Sequence, residues 1–385
     1  MFENNGLIYF DHQATTPVAP NVIEAMRPYL GENFGNPHSS QHALGWAANN
    51  AVERAANSIA EAFGADGNEV IFTSGATEAN NLAIQGIAKG SKGSARNRIL
   101  LGCAEHKSVL AQRPFLEEAL GFEVIAIPVD NFGHLDLSEL TPLLDERVLC
   151  LSVSFANSEI GTLTDPHPLA SALDDIGAIL HVDASQALMS GQPTPSIRDN
   201  MLISISGHKI YGPKGVGALI VPASLRRQLE PIVFGGGQQE GLRSGTLAPF
   251  LAVGFAEAVR CITSQESQKK LQEVRLLRDQ LVHRLLELDE SFKLNGPPLT
   301  NRHVANANIC FTNRNADDIL LRVHKNIAAS TGSACAAGVE QISHVLNAIG
   351  LSKKDASASI RFSLGLGNTR DQIEACIPIL TSALF

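Results

Sequence analysis

The sequence predicts an α/β fold: a large domain built on a mostly parallel seven-stranded sheet, joined to a smaller α+β domain. Two observations predict the sheet. Between about residues 70 and 222, short apolar runs alternate with helical stretches, and most of those runs are continuous rather than alternating. Continuous apolar strands separated by helices belong to sheets covered on both faces. A third observation, a change of rhythm after a long amphipathic helix, predicts the second domain. In chain order, VIFTS (70–74), RILLG (98–102), FEVIAIPV (122–129), VLCLSVSF (148–155) and AILHVD (178–183) read as strands. NLAIQGIAKG (81–90), VLAQRPFLEEALG (109–121), DLSELTPLL (136–144) and HPLASALDDIG (167–177) read as the intervening helices, each ending near Gly or a turn. LISIS (202–206) and VGALIV (216–221) flank a polar loop and extend the sheet. Over about 264–289, Leu271, Val274, Leu277, Leu281, Leu285 and Leu288 recur every three or four positions, the stripe of one helix face. NANICFT (306–312) and SIRFSLG (359–365) are strands of the smaller domain. The boundaries expected are 15–250 for the large domain, and 1–14 with 251–385 for the small one.

Composition narrows the function. A chain of 385 residues with 44% hydrophobic and 18% charged residues is globular, not disordered, collagenous or coiled-coil. Its net charge of −9 argues against direct nucleic-acid binding, which calls for a basic patch. The six cysteines, Cys103, Cys150, Cys261, Cys310, Cys335 and Cys376, form no CxxC pair, which excludes a zinc ribbon or a thioredoxin motif and fits a reducing compartment. No basic and apolar leader opens the sequence, and no apolar run approaches the ~18 residues of a membrane span. A cytoplasmic protein is expected. His38 and His42 have i,i+4 spacing but no third ligand, so no metal site is expected. GPKGVG is no dinucleotide fingerprint, because no helix with a following acidic partner opens from it.

Chemistry concentrates at the predicted strand ends. Lys209 lies in the Gly-rich loop SGHKIYGPKG (206–215) between two strands. A lysine there is ordinarily a solvated surface residue; with phosphate-binding neighbours it is a Schiff-base lysine. Asp183 ends the strand of LHVDASQ, where parallel sheets bind their ligands. A carboxylate there could be a plain cap, or could hold a pyridine nitrogen protonated and make the ring an electron sink. In SGATEANN (74–81), a strand passes through small residues into a helix whose first N–H groups suit a phosphate.

Taken together, these motifs resemble the cysteine desulfurases of the class V, fold-type I pyridoxal-phosphate (PLP) family, specifically the NifS/IscS-like group. The likeness runs through FDHQATTPV (10–18), FGNPHS (34–39), FTSGATEANNLAI (72–84), AEHKSVL (104–110), SEIGT (158–162), HVDASQ (181–186), SGHKIYGPKGVGAL (206–219), RSGTL (243–247), TGSACAAG (331–338) and SIRFSLG (359–365). It implies that Lys209 carries PLP and moves the substrate Cα proton. His106 would stack on the pyridine ring and assist proton transfer, Asp183 would pair with the ring nitrogen, and Gln186 would meet the 3-hydroxyl oxygen. Ala76, Thr77, Ser206 and His208 would bind the phosphate, with Thr246 completing that site from the neighbouring protomer of a homodimer. Arg361 would grip the substrate carboxylate, as a bidentate guanidinium can and an ammonium cannot.

Cys335 lies among small residues, a setting that reads as a loop. Alone it would be an apolar filler; the family's SGSAC pattern makes it the nucleophile that receives sulfur from L-cysteine, leaving L-alanine. The persulfide would then pass to a protein acceptor serving iron–sulfur assembly, tRNA thiolation or DNA phosphorothioation. The family's NNEIG has Asn where Ser158 stands here, preceded by Asn157; Ser158 is placed among the cofactor contacts and Asn157 beside the substrate. GGGQQEG puts Gln239 and Glu240 where Glu and Arg are usual. Alternatives are a selenocysteine lyase or another PLP-dependent lyase or aminotransferase, and a non-catalytic assembly platform, which would have no need of Lys209, Asp183, His106, Arg361 and Cys335 together.

Overall fold

A computed structural model describes residues 6–331 and 342–385. Its strands are β1 (Ile8–Tyr9), β2 (Val70–Thr73), β3 (Arg98–Gly102), β4 (Glu123–Ile127), β5 (Val148–Ser154), β6 (Ile179–Asp183), β7 (Met201–Ser206), β8 (Gly217–Ile220), β9 (Lys293–Leu294), β10 (Asn306–Cys310), β11 (Ile327–Ala328) and β12 (Ser359–Ser363). Seven of them form the central sheet in the order β2-β8-β7-β6-β5-β3-β4. All neighbours run parallel except β8, which is antiparallel to both β2 and β7.

All seven predicted strands of the sheet form, and burial explains why they were legible. Each residue of β2, β3, β6, β7 and β8 is buried, so no polar face interrupts the apolar run. Only β4, at the sheet edge, exposes Glu123 and Ala126. The helix expected over 109–121 is instead split: Lys107–Leu110 stops short, and a separate, wider π-type helical turn spans Phe115–Ala119. Pro114 stands at the break, where it cannot donate to a continuous helix.

The helix Ala43–Glu61 had no counterpart in the sequence reading. Its inner face is Ala48, Ala51, Val52, Ala55, Ala56 and Ile59, an alanine-rich stripe of low contrast. His42 is its N-cap, accepting from the Gly45 N–H through Nδ1.

A second apolar cluster surrounds the antiparallel sheet β12-β10-β9. Phe311 sits edge-on to Phe292 and Phe362, and Phe10 joins them from the N-terminal segment. The helix Gln265–Leu286 links the two cores: Leu271 belongs to the first, and Val274, Leu281, Val282 and Leu285 to the second. From β1, which pairs with β11, the chain crosses beside β12 and runs on to the carboxyl edge of the large sheet.

Candidate active site

Because β8 runs against its neighbours, the carboxyl ends of β2, β3, β5, β6 and β7 all open on one edge of the large sheet. A cavity of about 630 Å³ lies there, within the ordinary range of small-molecule sites. Its wall includes Ala76, Thr77, His106, Asn157, Ser158, Asp183, Gln186, Ser206, His208, Lys209 and Arg361. Eleven predicted site residues thus share one cavity. Thr246 does not line it; that residue lies in an adjoining hollow with Ser74, Gly215 and Arg243. Cys335 lies outside the described residues.

Lys209 follows β7 in a tight turn, Gly207–Lys209. Its Nζ donates to the carbonyls of Gln13 (2.6 Å) and Ala14 (2.9 Å). The same N-terminal segment pins the turn from outside. Thr16 N–H and Oγ1–H both donate to the His208 carbonyl, and Tyr211 N–H donates to Thr16 Oγ1 at 2.7 Å. Tyr211 is held at φ 65°, a left-handed conformation that a side chain adopts only where its surroundings impose it. The ATTP motif is therefore the brace of the lysine turn.

Asp183 ends β6 with both carboxylate oxygens engaged. Oδ2 accepts from Asn80 Nδ2 at 2.7 Å, and Oδ1 accepts from the Ser185 N–H at 3.0 Å. Asn80, wholly buried on the helix Ala76–Gly90, also donates to Ser108 Oγ. That helix opens at Gly75, which has no side chain to cap the first amides. Gly217 of β8 permits the close approach needed here: a Cβ on it would meet the Gly75 Cα at 2.7 Å. Ser206 Oγ is buried and makes no hydrogen bond among the described residues. Burial holds the neighbouring His208 imidazole down to about 4, and the charges of Lys209 and Lys214 push the same way.

His106 caps the short helix Lys107–Leu110. Its Nδ1 accepts from the Ser108 N–H at 3.1 Å, with Ser108 Oγ at 2.8 Å. A backbone N–H can only donate, so Nδ1 is unprotonated and the neutral ring carries its hydrogen on Nε2. Burial lowers the pKa of this imidazole, against the opposing pull of Asp183, which favours the neutral ring.

On the opposite wall, Arg361 projects from β12. Its Nη2 pairs with Asp11 Oδ1 at 2.7 Å, Nη1 donates to the Ser158 carbonyl at 3.1 Å, and Nε is buried without a partner among the described residues. Asn157 is a turn-former. Its Oδ1 accepts from the Glu159 and Ile160 N–H groups, and its Nδ2 donates to the Ala104 carbonyl. Those bonds engage both ends of its amide. Of Ser158, the observed contact is the carbonyl against Arg361.

Several residues in and around the cavity were given no role in the sequence reading. Gln13 bridges by its carbonyl to Lys209 and Gln186 and by its side chain to Asn306. Glu105 is fully buried beneath the site; its carboxylate accepts from the Ser154 N–H at 2.8 Å and binds Ser154 Oγ. Burial pushes its pKa up to about 8; the Ser154 bonds pull down, and the Asp183 charge adds to the rise. Glu159 and His344 also line the wall. Gln239 spans the edge of β2, accepting from the Phe72 N–H and donating to the Phe72 carbonyl. Glu240 pairs with Arg226.

Comparison with known proteins agrees with this geometry. The aminotransferase class-V family model matches residues 8–376. The cysteine desulfurase IscS of Rickettsia typhi is 39% identical over 377 residues, 98% of this chain and 91% of that protein. A solved NifS-like protein superposes with a TM-score of 0.89 at 30% identity, covering 98% of each chain. The structure of SspA in complex with cysteine superposes with a TM-score of 0.79 at 33% identity, covering 93% of this chain and 98% of that one. This chain is a member of the class V aminotransferase family and, within it, of the cysteine desulfurases.

Proposed function

We propose that this cavity, loaded with PLP, takes sulfur from L-cysteine and leaves L-alanine, with Cys335 as the sulfur carrier. The observation that carries the reading is the convergence of Lys209, Asp183, the uncapped start of the helix Ala76–Gly90 and the unpartnered Ser206 hydroxyl on one sheet edge. That donor set fits PLP. An amine is available for its aldehyde, a carboxylate for its ring nitrogen, and amides with a hydroxyl for its phosphate. Lys209 would hold the cofactor, with Asp183 at the ring nitrogen, Gln186 and Ser158 near the ring, and Ala76, Thr77, Ser206 and His208 around the phosphate. Bound there, PLP supplies an electron sink for the charge left when Cα loses its proton.

The remaining work belongs to the chain. Arg361, braced by Asp11, holds the substrate carboxylate and fixes which bond at Cα faces the cofactor. Lys209 would carry the Cα proton. The neutral His106 would lie against the cofactor ring and offer Nε2–H as a donor. In the net transfer the Cβ–S bond of cysteine breaks and an S–S bond to Cys335 forms. Cysteine plus the Cys335 thiol become alanine plus a Cys335 persulfide, with no external oxidant. The other five cysteines are poorly suited, since burial pushes each of their thiols up, Cys150 and Cys376 to about 12.

We also propose a homodimer in which Thr246 of each chain serves its partner's phosphate site. Its position outside its own chain's cavity supports this. A protein acceptor takes the persulfide sulfur in this reading. No helix among the described residues is long and apolar enough to cross a membrane. The test is the visible spectrum of purified protein: bound PLP absorbs in the wild type, and Lys209→Ala loses the lysine-linked band. A wild type that binds no PLP overturns the reading.

A further inference from the structure

His106 is the histidine that the sequence marks for proton work, yet its Nδ1 is occupied as a helix cap. It therefore presents an N–H to the cavity and lacks a free lone pair. A cysteine desulfurase also has to manage the substrate's own thiol, which is mostly protonated near neutral pH, since a free cysteine thiol titrates at about 8.5. The cavity has a second imidazole with the opposite arrangement.

His344 opens the helix His344–Ala348 and lines the cavity. Its Nε2 lies 2.8 Å from the Glu105 carbonyl oxygen. A carbonyl only accepts, so Nε2 carries the hydrogen and Nδ1 keeps the lone pair. Among the described residues nothing hydrogen-bonds to that Nδ1. Two anchors set the ring: the Glu105 carbonyl, in the residue just before His106, and the neighbouring Ser343, which hydrogen-bonds Glu159 and caps the Val345 and Leu346 amides. Glu159 feels the charges of Arg361, His344 and Lys107 together, and Arg361 and His344 line the same cavity. Among the described residues, the charged and titratable groups around His344 are His106 and Lys107 from the β3 loop, Glu159 from the β5 loop, Arg361 from β12 and Glu105 beneath.

We propose that His344 Nδ1 is the proton acceptor for the substrate thiol, deepening the desulfurase reading on which it rests. The S–H bond of bound L-cysteine gives its proton to Nδ1, forming an imidazolium whose Nε2–H stays on the Glu105 carbonyl. Sulfur is left as a thiolate, and no electrons leave the substrate. A positioned general base contributes about 10²–10⁴-fold to such a step.

The variant is His344→Gln. Its amide nitrogen can still donate to the Glu105 carbonyl, while no basic nitrogen remains. Alanine release by PLP-loaded wild type and variant is measured with L-cysteine and with L-selenocysteine, whose selenol is already ionised at neutral pH. The expected result is a fall of ~100-fold in kcat/KM for cysteine near neutral pH. That deficit closes as pH rises past the thiol's ordinary value of about 8.5, and selenocysteine turnover stays within about threefold of wild type. Equal losses with both substrates at every pH would make His344 a structural strut and overturn the proposal. No loss with cysteine would overturn it too. A wild type that releases no alanine from cysteine fails the desulfurase reading itself.

Discussion

Glu105→Gln isolates one buried ionisable group beneath the site. The carboxyl is fully buried with its pKa pushed up to about 8 against an ordinary 4.5, first by burial and then by the Asp183 charge. Folding must therefore keep a proton on Glu105 that the unfolded chain releases. A carboxyl raised in the folded state contributes its full stability below pH 4.5 and loses it progressively as pH rises toward 8. Each pH unit in that window is worth about 1.4 kcal/mol, giving a ceiling of roughly 5 kcal/mol. Glutamine keeps the geometry: its oxygen accepts from the Ser154 N–H, and its amide donates to Ser154 Oγ. The stability of the variant minus that of wild type should then grow by about 3 kcal/mol between pH 5 and pH 7.5. Urea unfolding of both proteins across that range measures it. A difference that does not change with pH would show Glu105 ionised in the folded state and refute the reasoning.

Three further outcomes follow from named contacts. Arg361→Lys, losing the forked donor proposed to hold the carboxylate, should raise KM for L-cysteine about 10–100-fold through loss of ~1.5–3 kcal/mol, with kcat less affected; steady-state kinetics decide it. Asn80→Ala strips Asp183 Oδ2 of its buried donor, costing about 1–3 kcal/mol in denaturant unfolding and loosening PLP retention in gel filtration. Burial holds His12, His181 and His208 down to about 4. A histidine depressed in the folded state contributes stability above about pH 6.5 and loses it as pH falls toward 4, so Tm should drop over that interval. A flat Tm there would contradict neutral burial of these rings.

The large sheet was legible because its strands are buried on both faces, so that β5 and β6 are mostly apolar, their buried Ser152 and His181 hydrogen-bonding each other. The residues at their carboxyl ends followed, since a parallel sheet sends Asp183 and Lys209 to the same edge. Contacts between distant segments had no local signal. His344 sits 238 positions after His106 in the chain, and only the packing of the helix His344–Ala348 against the β3 loop brings both to one cavity. Glu105 looks like any charged residue beside a strand until Ser154 closes over it. The interruption of the helix expected over 109–121 has a local signal in Pro114, which removes a backbone donor. Asn157 lines the cavity where its place in the motif put it, and the turn it builds, which engages its amide, had no local signal.

The central claim is that this cavity moves sulfur from cysteine to Cys335. The most direct measurement gives PLP-loaded protein limiting L-cysteine without reductant, counts alanine, and weighs the Cys335 peptide by mass spectrometry. The account predicts alanine matching the sulfur added, with one extra sulfur on the Cys335 peptide in the wild type and none in Lys209→Ala. Sulfur transfer that persists in Lys209→Ala, or alanine release with Cys335 unmodified and the sulfur on another cysteine, would contradict it.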